Sequence, residues 1–272
     1  MTSACLTFDD LTLGYGGHPA IHHLNGSLAW GSLTAVVGAN GSGKSTLMKA
    51  IAGILMPISG HCRRSVALSV AYLPQQSELD RSFPARVIDL VSLGLWPRLG
   101  LFGRHSAEDR AAVAQALEAV GLAGFEKRPL DQLSGGQMQR ALFARALLQN
   151  ADLILLDEPF NAVDSRTVDH LLALIAQWRR EGRTVLAVLH DHDLVRAHFP
   201  QAMLLARKVI AWGPTAEVLT PAHLQQAQDF QEAWDETAPW CGAPADADPA
   251  AAGPAVAPSF PIIARRPVDA HV

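Results

Sequence analysis

The stretch Leu33-Thr-Ala-Val-Val37-Gly38-Ala-Asn40-Gly41-Ser42-Gly43-Lys44-Ser45-Thr46 decides the fold class. Leu33–Val37 is an apolar run of strand length, Gly38–Ser45 matches G-x-x-x-x-G-K-[ST], and the helical run Thr46–Ile54 follows. Glycines adopt backbone angles closed to other residues, so successive N–H groups turn inward and form an anion nest at a helix N-terminus. Lys44 is placed to reach the β- and γ-phosphates of a nucleotide, and the Ser45 hydroxyl is a hard oxygen ligand for Mg2+. A chance match of this pattern, from the chain's own residue frequencies, is expected in roughly two of a thousand such sequences.

Other apolar runs, at Val66–Leu73, Leu153–Leu156, Thr184–Leu189 and Ala202–Ala206, are bounded by Gly, Pro, Asn or Asp. Strands this apolar predict a parallel α/β sheet covered on both faces. Leu153–Leu156 ends in Asp157-Glu158, which brings Asp157 to the carboxyl edge of the sheet, where ligands of such sheets collect. Asp157 is expected to hold Mg2+, directly or through water, and Glu158 to polarise an attacking water as general base. The plainer reading, in which the acidic pair only caps the next helix, loses most of its weight beside a phosphate loop.

Composition sets the remaining bounds. With 49% apolar and 18% charged residues among 272, overall disorder is excluded. A net charge of −4 gives no electrostatic footprint for nucleic acid or an anionic membrane, so no nucleic-acid partner is expected. Cys5, Cys62 and Cys241 lie far apart without a C-x-x-C, which fits a reducing compartment. No apolar stretch reaches the roughly 18 residues of a membrane span, and the first residues lack a basic leader. A cytoplasmic location is therefore expected. Phe83–Leu148 reads as mostly helical: Ser106 caps a helix with Asp109 in its first turn, an apolar stripe at Val113, Leu117 and Val120, and an end near Gly121. This is expected to be a helical subdomain, about residues 76–150, within a domain spanning 1–238. The last 34 residues, 239–272, hold 7 of the 17 prolines and 10 alanines, and are expected to be a disordered tail.

Leu133-Ser134-Gly135-Gly136-Gln137 stands 20 residues before Asp157 and opens the helical run Met138–Leu148. With the two motifs above, it resembles the ATP-binding subunit of ABC transporters, whose signature this pentapeptide matches in full. The resemblance implies a P-loop NTPase core of ABC type, with an inserted helical subdomain and an N-terminal antiparallel β region. It implies ATP and Mg2+ as cofactors, with ATP hydrolysis coupled to transport. It also implies that Ser134, Gly135, Gly136 and Gln137 face the γ-phosphate held by an opposite subunit, so a homodimer, or a pair with a similar subunit, is expected. The physical reading agrees, since a serine and two glycines at a helix N-terminus form an anion-binding surface of close backbone approach.

Other positions carry over from the same resemblance. Tyr15 lies where the family stacks an aromatic on adenine. Gln75 matches the glutamine that contacts Mg2+ and water and couples to the membrane partner, with Gln76 as the alternative. His190 matches the switch histidine on the γ-phosphate, with His192 as the alternative. Asp164 matches the dimer-contact loop, although Asn161 replaces the serine or threonine common there. Asp80–Val91, Trp96–Arg104 and Asp157–Asp164 look like the manganese and zinc uptake members. These imply a peripheral place on the inner face of the membrane, a separate multi-span permease and, indirectly, a secreted metal-binding protein. An iron-chelate, haem or cobalamin importer, an exporter subunit and a soluble non-transport ABC ATPase are the alternatives. His18, His22, His23 and the run His190–Asp193 lack the spacing of a closed metal site.

Overall fold

The structure, a computed structural model, describes residues 3–16, 18–78, 83–100, 103–161 and 163–232. The amino half contains β1 (Ala4–Tyr15), β2 (His18–Ala29), β3 (Leu33–Val37), α1 (Lys44–Ala52), β4 (Ser59–Arg64) and β5 (Val70–Leu73). The helical stretch contains α2 (Val87–Ser92), α3 (Trp96–Leu99), α4 (Ala107–Ala119) and α5 (Gly135–Gln149). The rest comprises β6 (Leu153–Asp157), α6 (Ser165–Arg180), β7 (Thr184–Val188), α7 (His192–His198), β8 (Gln201–Leu205), β9 (Val209–Pro214), α8 (Thr215–Val218) and α9 (Pro221–Glu232). The Pro/Ala-rich tail 239–272, with Cys241, lies outside the described residues.

A six-stranded sheet runs in the order β5-β6-β7-β3-β8-β9, parallel except for β9. A separate antiparallel sheet has the order β2-β1-β4. Alternation along the central strands divides their side chains between two cores. Leu33, Ala35 and Val37 of β3, and Ile154 and Leu156 of β6, pack with α4, α5 and α6. Val36, Leu153 and Leu155 point the other way, against α1 and the apolar face of the antiparallel sheet. Burial on both faces explains why these strands read as unbroken apolar runs.

The expected cap on α4 is present: Ser106 Oγ accepts from the Asp109 N–H at 3.1 Å, and Asp109 Oδ2 accepts from the Ser106 N–H at 2.9 Å. Val113, Leu117 and Val120 are buried, and Gly121 follows with a left-handed φ of 68°. One strand departs from expectation. The run Val66–Leu73 forms a strand only over Val70–Leu73, because Ala67 has φ 69° and Val66 is 95% exposed in a turn. Both helices after the anion nests also begin earlier than their apolar periods suggest, at Lys44 and Gly135. Their first turns carry loop chemistry and so lack an apolar signal.

At the centre of the larger core, Trp178 of α6 stacks on Phe143 of α5 with ring centroids 5.7 Å apart and planes at 5°. The Trp178 indole N–H has no hydrogen-bond partner among the described residues, so its contribution there is apolar packing. Trp178→Ala should cost about 3–5 kcal/mol, read as a lower denaturation midpoint in urea. A loss below about 1 kcal/mol would mean that this side chain is not a core anchor.

Candidate active site

Four consecutive strands, β5, β6, β7 and β3, end at the same edge of the sheet, and each leads directly into a predicted site residue. Gln75 follows β5, Asp157 ends β6 with Glu158 next, His190 follows β7, and Gly38 follows β3. Residues more than a hundred positions apart are therefore neighbours because their strands pair in parallel register.

The phosphate loop depends on its glycines at two places. A Cβ on Gly38 would stand 2.1 Å from the Leu205 carbonyl oxygen, and Gly43 has φ 98° with Ile21 Cγ1 only 2.4 Å from a would-be Cβ. Gly38→Ala should therefore abolish nucleotide binding in an equilibrium titration, and wild-type affinity would mean that the loop is not held by this close approach. Asn40 and Gly41 are exposed at the loop tip, whereas Ser42 and Thr46 are buried. The Ser42 hydroxyl has no hydrogen-bond partner among the described residues. Lys44 is also buried, and its Nζ donates to the carbonyls of Gly38 at 2.9 Å and Ala39 at 2.8 Å. Burial pulls its pKa below the usual lysine value, against the opposing charges of Glu158 and Asp157.

Ser45 Oγ donates to Asp157 Oδ1 at 3.2 Å, while the Tyr72 hydroxyl donates to Asp157 Oδ2 at 3.4 Å. Burial pushes the Asp157 carboxyl above the usual range; the Ser45 hydrogen bond opposes this and the Glu158 charge adds to it. Glu158 has a left-handed backbone, φ 51°, which is costly for a non-glycine residue and turns its carboxylate out of the line of β6. That carboxylate is gripped from several sides. His190 Nε2 lies 2.8 Å from Oε1, Asn161 Nδ2 donates to Oε2, and the Gln75 side chain stands near enough to favour the ionised form. Burial alone would raise the Glu158 pKa. The His190 bond and the Gln75 side chain, with the charges of His190 and Lys44, outweigh it and hold the group below the ordinary glutamate value.

The paired alternatives separate by geometry. Gln75 turns to Glu158, whereas Gln76 Nε2 turns away to the carbonyl of Gly135 and to Gln139 Oε1. His190 reaches Glu158, whereas His192 opens α7. Tyr15 is half exposed at the end of β1 and lines a recess with Lys49, Tyr72 and Glu78. Ser134, Gly135, Gly136, Gln137 and Asp164 form a second group. Ser134 Oγ accepts from the Gln137 N–H at 3.2 Å, and Gln137 Oε1 accepts from the Ser134 N–H at 3.0 Å, closing the N-terminus of α5. Asp164 caps α6 through the Thr167 N–H at 3.0 Å, and a Cβ on Gly136 would lie 3.8 Å from Asp164 Oδ2.

Three participants escape a sequence reading: Tyr72 on Asp157, Asn161 on Glu158, and Gln139 under Gln76. Tyr72 had a signal, a phenol inside a short buried strand. Asn161 stood out only as a departure in the loop before Asp164, with no sign of a contact to Glu158, and nothing in the sequence distinguishes Gln139 from an ordinary helix residue.

A family model described as "ABC transporter" matches residues 21–161. The chain belongs to the ABC transporter family. This ABC cassette is 39% identical over 223 residues to a manganese transport system ATP-binding protein of Listeria monocytogenes, covering 80% of this chain and 93% of the relative. It is 38% identical over 232 residues to a zinc transport system ATP-binding protein of Treponema pallidum, covering 83% and 87% respectively. Among solved structures, it resembles a chain of an inward-facing transporter described as of the metal-chelate type. That match has a TM-score of 0.74 and 31% identity, covering 84% of this cassette and 90% of that chain. The cassette is thus an ATP-binding protein with the ABC fold, including the antiparallel sheet and helical subdomain. Among its described residues, no helix is long and apolar enough to cross a membrane.

Proposed function

We propose that this ABC cassette is the ATP-hydrolysing subunit of an importer for manganese or zinc. It acts as a homodimer on the inner face of the membrane, beneath a separate multi-span permease that a secreted metal-binding protein supplies. The observation that carries the hydrolytic reading is the Glu158 carboxylate, held ionised by His190 and Gln75 beside the phosphate-loop lysine. Glu158 takes a proton from water. The water oxygen attacks the γ-phosphorus in line, and the bond to the β–γ bridging oxygen breaks to leave ADP and phosphate. His190 and Gln75 orient the carboxylate and the water, and Lys44 offsets charge on the phosphate oxygens. Ser45 Oγ and the Asp157 carboxylate fit a magnesium ion: both are hard oxygen donors facing one another beside the phosphate loop. When bound there, magnesium neutralises the charge of the triphosphate.

The transported ion is read from the relatives, since a cassette of this kind energises transport without binding the cargo. In cells lacking this gene, uptake of labelled manganese or zinc should be lost and should return with the wild-type chain but not with Glu158→Gln. Recovery of haem or iron-chelate uptake instead would reassign the cargo while leaving the hydrolytic reading intact. We assign the permease to the groove around Gln75 and Phe83–Arg104, of which residues 101 and 102 lie outside the described ones; exposed Phe83, Leu93 and Trp96 support this. Trp96→Ala should leave the ATPase activity of the isolated chain unchanged and lower metal uptake several-fold; undiminished uptake would remove this surface from the interface.

A further inference from the structure

Adjacent glutamines after β5 point to opposite sides. Gln75 joins the Glu158 site, and Gln76, opening a short 3-10 turn, spans to the signature helix. The Gln76 amide Nε2 donates to the Gly135 carbonyl at 2.9 Å and to Gln139 Oε1 at 2.9 Å. One amide group therefore bonds both the first residue of α5 and a side chain one turn further along it. Gln139 is 1% exposed, and its own Nε2 finds no partner among the described residues. A buried, half-satisfied amide is a poor choice for stability alone, because an apolar residue of the same shape would avoid the unpaired donor. Its acceptor oxygen, however, fixes where the signature turn sits relative to the Gln75–Glu158 site.

We infer that Gln76 and Gln139 form an amide clasp that sets the position of the signature turn, making both positioning residues for hydrolysis at the partner copy's phosphate loop. The inference rests on the proposed reading that each signature acts across a dimer, and it extends that reading to two residues bonded to each other behind the signature turn. The clasp gives the chain a two-residue link between its own hydrolytic site and the surface it presents to the other one. A change in the turn holding Gln75 necessarily moves the donor of the adjacent residue, and with it the first turn of α5.

The test uses full-length chains in mixed pairs, tagged differently, with Mg-ATP, and reads phosphate release in the first turnover. Gln139→Met keeps the volume and removes the acceptor. In one pair, Glu158→Gln is on one chain and Gln139→Met is on the other, so the live Glu158 faces an intact clasp. In the other pair, both substitutions are on one chain and the partner is wild type, so the live Glu158 faces a broken clasp. Release in the second pair should be roughly tenfold slower than in the first, the loss expected for one or two neutral hydrogen bonds. Gln139→Glu, which keeps an oxygen facing Gln76 Nε2, should restore the rate when it replaces Gln139→Met in the second pair. Equal rates, or the reverse order, would overturn the clasp. A wild-type pair that releases no phosphate would instead strike the proposed function itself, so the two failures are distinguishable.

Discussion

Glu158→Gln should bind Mg-ATP with wild-type affinity while its steady-state phosphate release falls at least about 100-fold. The substitution preserves shape and keeps an oxygen for His190 Nε2, which lies 2.8 Å from the wild-type carboxylate. It removes the one group placed to accept a proton from water. Near-wild-type turnover would remove Glu158 from this role. The same residue gives a pH test. Burial works to raise its pKa, but His190, Gln75 and Lys44 together depress it. The ionised carboxylate is therefore present above the depressed value and is lost as pH falls through it, whereas burial raises the Asp157 carboxyl, so Glu158 alone does not set the acid limb of turnover. The carboxyl-carbon resonance of Glu158 should stay at its ionised position to a pH below the ordinary glutamate range, and a titration above that range would contradict the assignment.

Ser134→Arg should abolish ATP-driven pairing of the chains and leave nucleotide binding by the single subunit intact. Ser134 is exposed at the N-terminus of α5, where its hydroxyl does no more within the chain than close a capping box. A long side chain there fills the space the opposite triphosphate would enter. Because arginine also removes the cap, Ser134→Asp is the stricter variant: aspartate caps a helix as well as serine does, yet it sets a negative charge against phosphate. Both should fail to pair. Loss of ATP binding by the monomer in either variant would mean that the signature serves its own chain's nucleotide.

The candidate site was legible in the sequence wherever chemistry is written in contiguous residues. Gly38–Ser45, Leu133–Gln137 and Asp157-Glu158 each specify a local structure, and parallel strands carry the first and the third to a common edge. The cap at Ser106 and the stripe of Val113, Leu117 and Val120 were legible for the same reason. Long-range pairing was not. β4, Ser-Gly-His-Cys-Arg-Arg, has no apolar alternation because it is an edge strand paired only with β1 and mostly exposed. Val66 reads as strand yet sits in a turn. The left-handed turn at Glu158 and the grip of Asn161 on it depend on tertiary packing, and no residue spacing announces them. The Gln75 and Gln76 alternatives separated only when β5 and α5 were seen on either side of them.

Two copies of this cassette should close around ATP, each giving its signature to the other. Sedimentation equilibrium of Glu158→Gln measures it directly. With saturating Mg-ATP the mass should rise from 29.1 kDa to about twice that value, and Ser134→Asp added to the same chain should return it to 29.1 kDa. A Glu158→Gln chain that binds ATP and still sediments at 29.1 kDa would contradict the account.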